Sequence, residues 1–210
     1  MKKKLLGYYD YTVVLTYCGT MCAFYGIIQS IEKNFQVALI SLMAAGLFDM
    51  FDGAVAATKD RTEPEKKFGI QIDSLSDLIS FGVLPGVFVY MILGGDKVAG
   101  LVSAGYTLCA LIRLAYFNVL EEERQSQTSE ARTSYLGIPV TTIALLLPAV
   151  YLLVVHESAM QRVSFLLTLV LVAAGFVSTL KIPKPKMIGK FCLLVLGIAE
   201  AAALITTAGW

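Results

Sequence analysis

Long apolar runs alternate with short polar breaks along the whole chain. Runs of spanning length fall at about 11–31, 35–57, 69–93, 98–119, 138–156, 162–180 and 188–208. Each approaches the roughly 20 residues that a helix needs to cross a bilayer. The breaks carry charged or turn-forming sequence, such as Glu32-Lys33-Asn34 and Gly94-Gly95-Asp96-Lys97. The pattern predicts an all-α, polytopic transmembrane helical bundle of seven spans, forming a single domain over residues 11–210. Residues 1–10 (MKKKLLGYYD) stand apart as a basic, aromatic segment. It reads equally as a short interfacial helix or as a solvated tail.

Composition supports this picture. Hydrophobic residues make up 57% of the 210 residues, and the mean hydropathy is +0.71. That is too apolar for a soluble domain of this size. The net charge of +1 points to no nucleic-acid partner. The positions of the basic residues are more informative. With seven spans, 13 Lys and Arg fall on one side, in the N-terminal tail and the loops 58–68, 120–137 and 181–190. The other side receives only Lys33, Lys97 and Arg162. The positive-inside rule then predicts a multi-pass cell-membrane protein with its N-terminus in the cytoplasm and its C-terminus outside. The four cysteines lie in apolar runs without a C-x2-C pair and read as small buried hydrophobes. His156 reads as an interfacial residue at a span end. No cleavable signal pattern is expected, because no A-x-A site follows the first run.

Four carboxylates break the apolar pattern where it should be least tolerant. Asp49 and Asp52 end the second span, and Asp73 and Asp77 open the third. Spacings of three and four place each pair on one helix face. The charged loop 58–68 joins the two spans as a helical hairpin. Both pairs therefore fall at similar depth, one to two turns below the cytoplasmic surface. A single Asp reads as well as a cap or a satisfied core polar group. Four in one small volume need protons or cations to neutralise them. A hard divalent cation with oxygen ligands is the simpler solution. Gly53, Ala54, Ala56 and Ala57 flank the first pair, and small residues let a helix or a ligand approach the backbone. Arg113 and Asn118 stand in the fourth span, again toward its cytoplasmic end. Arg113 either snorkels to the interface or faces a carboxylate or an anionic substrate. Pro85 and Pro148 are expected to kink their spans. Glu200 lies toward the outer side, away from the cluster.

The sequence D-x2-D-G-x2-A, followed by G-x3-D-x3-D, resembles the signature of the CDP-alcohol phosphotransferase family. The matching positions are Asp49, Asp52, Gly53, Ala56, Gly69, Asp73 and Asp77. Two features depart from the family pattern. Ala57 stands where the family has Arg, and eleven residues separate Ala57 from Gly69 where eight or nine are usual. Lys59 or Arg61 could supply the missing charge. The runs DSLSDLISFG (73–82), RLAYFN (113–118), GIP (137–139) and KIP (181–183) are further similar to the membrane-type phosphatidylserine synthases of bacteria and archaea.

The resemblance implies a core of six transmembrane helices, which makes the seventh span an addition, and a homodimer. It implies transfer of a phosphatidyl group from CDP-diacylglycerol to the hydroxyl of L-serine, with release of CMP. It further implies two divalent cations, Mg²⁺ or Mn²⁺, held by Asp49, Asp52, Asp73 and Asp77, with Asp77 as general base. The CDP-lipid would be bound by Asp49, Asp52, Gly53, Ala56, Lys59, Arg61 and Gly69. Arg113 and Asn118 are the expected contacts for serine or a phosphate. Glycerol phosphate or inositol phosphate is the alternative acceptor, and CDP-archaeol the alternative donor. A cation transporter is the alternative from another class. It predicts charges near the midplane and repeated halves, whereas all four Asp lie toward one face and no repeat is visible.

Overall fold

The computed structural model describes residues 6–127, 134–183 and 187–207. Lys2–Lys4, Arg132, Lys184 and Lys186, which enter the charge partition, lie outside these residues. The described chain is helical throughout, apart from one two-stranded ribbon. A single 3₁₀ turn, Tyr11–Val13, leads into α1 (Val14–Ile31), which is followed by α2 (Phe35–Ala56). Asp10 caps the 3₁₀ turn by accepting from the backbone N–H of Thr12 at 2.9 Å. A tight turn joins α1 and α2. Lys33 takes a left-handed φ of +65° there, and Asn34 N–H donates to Gln29 O at 2.8 Å.

The third rod is continuous from Glu63 to Ile92: α3 (Glu63–Asp77), a π-helical stretch (Leu78–Val83) and α4 (Leu84–Ile92). It begins six residues before the predicted span. Thr62 and Glu65 form a reciprocal capping box, with Pro64 in the first turn. Pro85 explains the chemistry of the π stretch. Proline has no N–H to offer the carbonyl four residues back, at Phe81. The buried hydroxyl of Tyr106 donates to Phe81 O instead, at 2.6 Å, and Thr107 Oγ1 donates to Gly82 O at 3.0 Å.

Gly94 and Gly95, at φ of +75° and +76°, close α4. Asp96 then caps α5 (Lys97–Gln127) through the N–H groups of Val98 and Ala99. This helix runs eight residues beyond the predicted end at 119. Its Glu- and Arg-rich tail favours helix, and Arg124 pairs with Glu121 at 2.6 Å. A short ribbon pairs β1 (Ser134–Leu136) with β2 (Lys181–Pro183), antiparallel, with Tyr135 opposite Ile182. A 3₁₀ turn (Val140–Thr142) and α6 (Ile143–Val154) form the fifth rod, followed by α7 (Ser158–Phe176) and α8 (Met187–Thr207). Among the described residues, six helices are long and apolar enough to cross a membrane. The fifth rod, at Val140–Val154, is shorter, cut by Gly137-Ile138-Pro139 before it.

The core gathers the inner faces of α1, α2, α4, α6 and α7. Phe88 packs edge-on against Phe35, Tyr151 and Phe165 at its centre. Outward positions are also apolar, including Met21, Leu101, Leu171 and Ile188, as for a bundle solvated by lipid. The helix α8 rests on α2 and α6 and is mostly outward-facing.

Contacts tie the loops into two ends. At one end, Lys59 meets Asp10 at 2.6 Å, Lys67 meets Glu122 at 3.7 Å, and β1 meets β2. At the other end, Arg162 pairs with Asp96. Among the described residues, six of the seven expected spans reach spanning length, and the expected span 138–156 is the shorter helix.

Candidate active site

The hairpin of α2 and α3 brings all four carboxylates together. One oxygen each of Asp49, Asp52 and Asp73 lies within 4.8 Å of the others. The Asp77 carboxyl touches that of Asp49, and the Asp73 carboxyl touches that of Asp52. Each helix supplies its pair from one face, as the three- and four-residue spacings require. A void of about 10 Å³ sits among them, lined also by Gly19, Ser76, Ser80 and Phe81. That is room for one water-sized guest, and Asp52 and Asp73 also line the larger space beside it, so the cluster faces two adjoining spaces. Four carboxylates converging on such a space form an all-oxygen donor set that fits a hard divalent cation.

The helix α1 adds a wall that sequence reasoning missed. Thr16 Oγ1 donates to Asp52 Oδ2 at 3.2 Å. Thr20 Oγ1 shares a 2.7 Å hydrogen bond with Ser76 Oγ, and Ser76 Oγ donates to the Thr16 carbonyl at 3.3 Å. The available signal is Thr12, Thr16 and Thr20, three threonines at four-residue spacing in an apolar run. Such a ladder presents hydroxyls along one helix face.

Beside the cluster opens a groove of about 140 Å³, lined by Thr12, Val13, Thr16, Asp52, Gly53, Ala56, Arg61, Gly69, Ile70 and Asp73. Gly53 and Gly69 form its floor without side chains. A Cβ on Gly53 would meet nothing within 4 Å, whereas one on Gly69 would come within 2.9 Å of the Arg61 guanidinium. The two cations of the longer loop separate clearly. Arg61 turns into the groove and makes no hydrogen bond or ion pair among the described residues. Lys59 is held at the rim by Asp10 at 2.6 Å and Glu65 at 3.2 Å.

Arg113 and Asn118 do not line this groove. Arg113, only 6% exposed, donates to the carbonyls of Leu136 at 2.6 Å and Phe176 at 3.3 Å, and stacks over the Phe117 ring. It joins the ribbon to the end of α7. Gly137 follows at φ +67°, where a Cβ would lie 2.6 Å from Gly175 O and 2.9 Å from the Arg113 guanidinium. Asn118 accepts from Ser74 Oγ at 2.7 Å and so grips the outer side of α3. Glu200 is buried on α8, and its Oε2 makes no hydrogen bond among the described residues.

A lipid-facing helical bundle with an acidic, metal-competent cluster beside a cation-bearing groove defines a class of membrane-embedded sites suited to anionic headgroups. Residues 11–181 match the sequence model of the CDP-alcohol phosphatidyltransferases, so the chain belongs to that family. The match ends before α8, which leaves the seventh rod outside the shared core. Among similar proteins is the archaetidylserine synthase of Methanothermobacter thermautotrophicus, 30% identical over 71% of this chain and 61% of its own length. The CDP-diacylglycerol–serine O-phosphatidyltransferase of Helicobacter pylori is 33% identical over 65% of this chain and 53% of its own length. The Saccharomyces cerevisiae enzyme of the same name is 30% identical over 65% of this chain and 52% of its own length. The chain thus matches only about half to three-fifths of the length of these relatives.

Proposed function

We propose that the protein is a phosphatidylserine synthase, moving a phosphatidyl group from a CDP-lipid to L-serine. The observation that carries this is the junction of the four-carboxylate cluster with the groove holding Arg61. The relatives support the acceptor: serine is in the names of both the archaeal and the bacterial proteins, while their lipids differ. The donor is CDP-diacylglycerol or CDP-archaeol.

The donor's CDP lies in the groove between α1, α2 and α3. Gly53, Ala56 and Gly69 let the nucleotide approach the helix backbones. Arg61 takes the place of the charge missing at Ala57 and binds the diphosphate, while Lys59 shapes the rim. Asp49, Asp52, Asp73 and Asp77 would hold two divalent cations, Mg²⁺ or Mn²⁺. Bound there, such ions neutralise the diphosphate and polarise its phosphoryl oxygens. Asp77 accepts the proton of the serine hydroxyl. That oxygen then forms a bond to the lipid-bearing phosphorus. The bond from this phosphorus to the bridging oxygen breaks, and CMP leaves with the electron pair. Orientation of the two reactants supplies much of the acceleration. Arg113 and Asn118 bear on serine through the elements they hold in place. This role revises the direct contact that the sequence suggests.

The cluster end faces the cytoplasm, where serine and CMP exchange, while the lipid chains stay in the bilayer of the cell membrane. The working unit is a homodimer, as the family resemblance implies.

The test is CMP release by purified protein given each CDP-lipid and one acceptor at a time, with and without EDTA. Release that requires serine and stops with chelation is the expected result. Release only with glycerol phosphate or inositol phosphate would overturn the serine assignment. No release with either donor and any acceptor would overturn the enzyme.

A further inference from the structure

The loop that carries Arg61 into the groove is held by contacts that the reaction above does not use. Asp10, just before α1, accepts from Lys59 Nζ at 2.6 Å. Lys59 also donates to Glu65 Oε1 at 3.2 Å. The other oxygen of Glu65 accepts from both the N–H and the hydroxyl of Thr62, each at 2.8 Å. One carboxylate therefore holds both Lys59 and Thr62, and Asp10 holds Lys59 from the opposite side. Only Asp60 and Arg61 lie between these two anchors. Asp60 points outward, and Arg61 points into the groove. Two further contacts join the segment around Tyr8–Tyr11 to this loop and to α3: Tyr11 OH with Thr58 Oγ1 at 3.0 Å, and the Tyr8 ring with the Phe68 ring at 5.4 Å.

The consequence is a division of labour between two neighbouring cations. Lys59 is neutralised by two carboxylates and is unavailable to a ligand. Arg61 keeps its charge for the groove, but it is a long side chain on a loop with no helix of its own. Unless its backbone is held, presenting it to an anion requires ordering both loop and side chain on binding. Pinning the residues at 59 and 62 removes much of that requirement before the ligand arrives.

We infer that Asp10 and Lys59 are positioning residues, whose ion pair fixes the 57–62 loop so that Arg61 is presented to the phosphates of a cytidine diphosphate group. The inference rests on the donor reading above and adds to it the part played by the chain before α1. A partly exposed ion pair held by a flexible lysine contributes little to folding stability. Asn at position 10 also retains the cap on Thr12 N–H. Asp10→Asn therefore removes the grip on Lys59 without removing the turn.

The experiment is a calorimetric titration of CDP, with Mn²⁺ present, into the full chain in lipid nanodiscs. The proteins compared are wild type, D10N, K59M, R61Q and the D10N/R61Q double variant. D10N and K59M are expected to weaken CDP binding by about three- to tenfold, and R61Q by about tenfold or more. The double variant is expected to bind as R61Q does, because Asp10 acts only through Arg61. Melting temperatures of D10N and K59M within about 3 °C of wild type would show that folding is not the cause. D10N and K59M binding as wild type does would overturn the inference. So would a D10N loss that adds in full to the R61Q loss. A wild-type protein that binds no CDP would overturn the donor reading itself, and this inference with it.

Discussion

At the scale of residues, the proposed base stands slightly apart from the other three carboxylates. Asp49, Asp52 and Asp73 form the tight oxygen cluster, while Asp77 sits one helical turn beyond Asp73, against Asp49. Asp77→Asn keeps the shape and removes the proposed proton acceptor. It is expected to lower CMP release by about 10²- to 10⁴-fold and to leave CDP-lipid affinity within about threefold. Parallel loss of affinity, measured by the same calorimetry, would assign Asp77 to ligand holding instead. Asp10 allows a pH prediction outside the membrane. The Lys59 ammonium, aided by Thr12, holds its carboxyl down at about 2, below the ordinary value of 3.8. Glu65 shares Lys59 with it, and Tyr17 faces it from α1. The folded value is the lower one, so the stabilisation is complete above the unfolded value and fades as pH falls toward 2. The melting difference between wild type and D10N should therefore stay constant from about pH 5 to 8 and shrink only below about pH 4.

At the scale of elements, what was legible in the sequence depended on whether the physics was local. The four carboxylates were legible because each pair repeats at a helical interval within one span. The start of α3 was also written locally: Thr62-Glu63-Pro64-Glu65 is a capping box, yet the span prediction assigned it to the loop because hydropathy rises only later. The ribbon was not legible. Its strands are three residues each and lie far apart in sequence, and Arg113 bonds to carbonyls that no pattern in its own span reveals. The π stretch was half legible. Pro85 announced a disturbed ladder, but the partner that relieves it, Tyr106, comes from the next helix. That pairing can be tested. Tyr106 is 1% exposed, and Tyr106→Phe leaves a buried carbonyl without its partner. A loss of about 1–3 kcal/mol is expected, read as a lower denaturation midpoint in mixed micelles. Gly137→Ala should cost at least as much. It meets both a left-handed φ and carbonyl oxygens at 2.6 and 2.9 Å, and the same denaturation assay measures it.

At the scale of the whole molecule, the charge pattern predicts which end of the bundle faces which compartment. The contacts establish two ends: one carries loop 57–62, the ribbon and the carboxylate cluster, and the other carries the Asp96–Arg162 pair. Among the described residues, Lys59, Arg61, Lys66, Lys67, Arg124, Lys181 and Lys190 belong to the loops of the cluster end, against Lys33, Lys97 and Arg162 at the other. Short loops rich in Lys and Arg are retained in the cytoplasm during insertion, which is also where the proposed serine substrate and nucleotide product would be exchanged. Single cysteines at exposed positions test this directly, with the four native cysteines replaced. Asp60→Cys marks the cluster end, and Lys97→Cys marks the other. In intact cells a membrane-impermeant maleimide should label the cysteine at 97 and spare the one at 60 until the membrane is opened. The reverse pattern would put the site outside, away from the nucleotide pool, and would contradict the proposed chemistry as well as the charge rule. Labelling of both positions in intact cells would mean dual insertion, an outcome that the imbalance of 13 basic residues against three argues against.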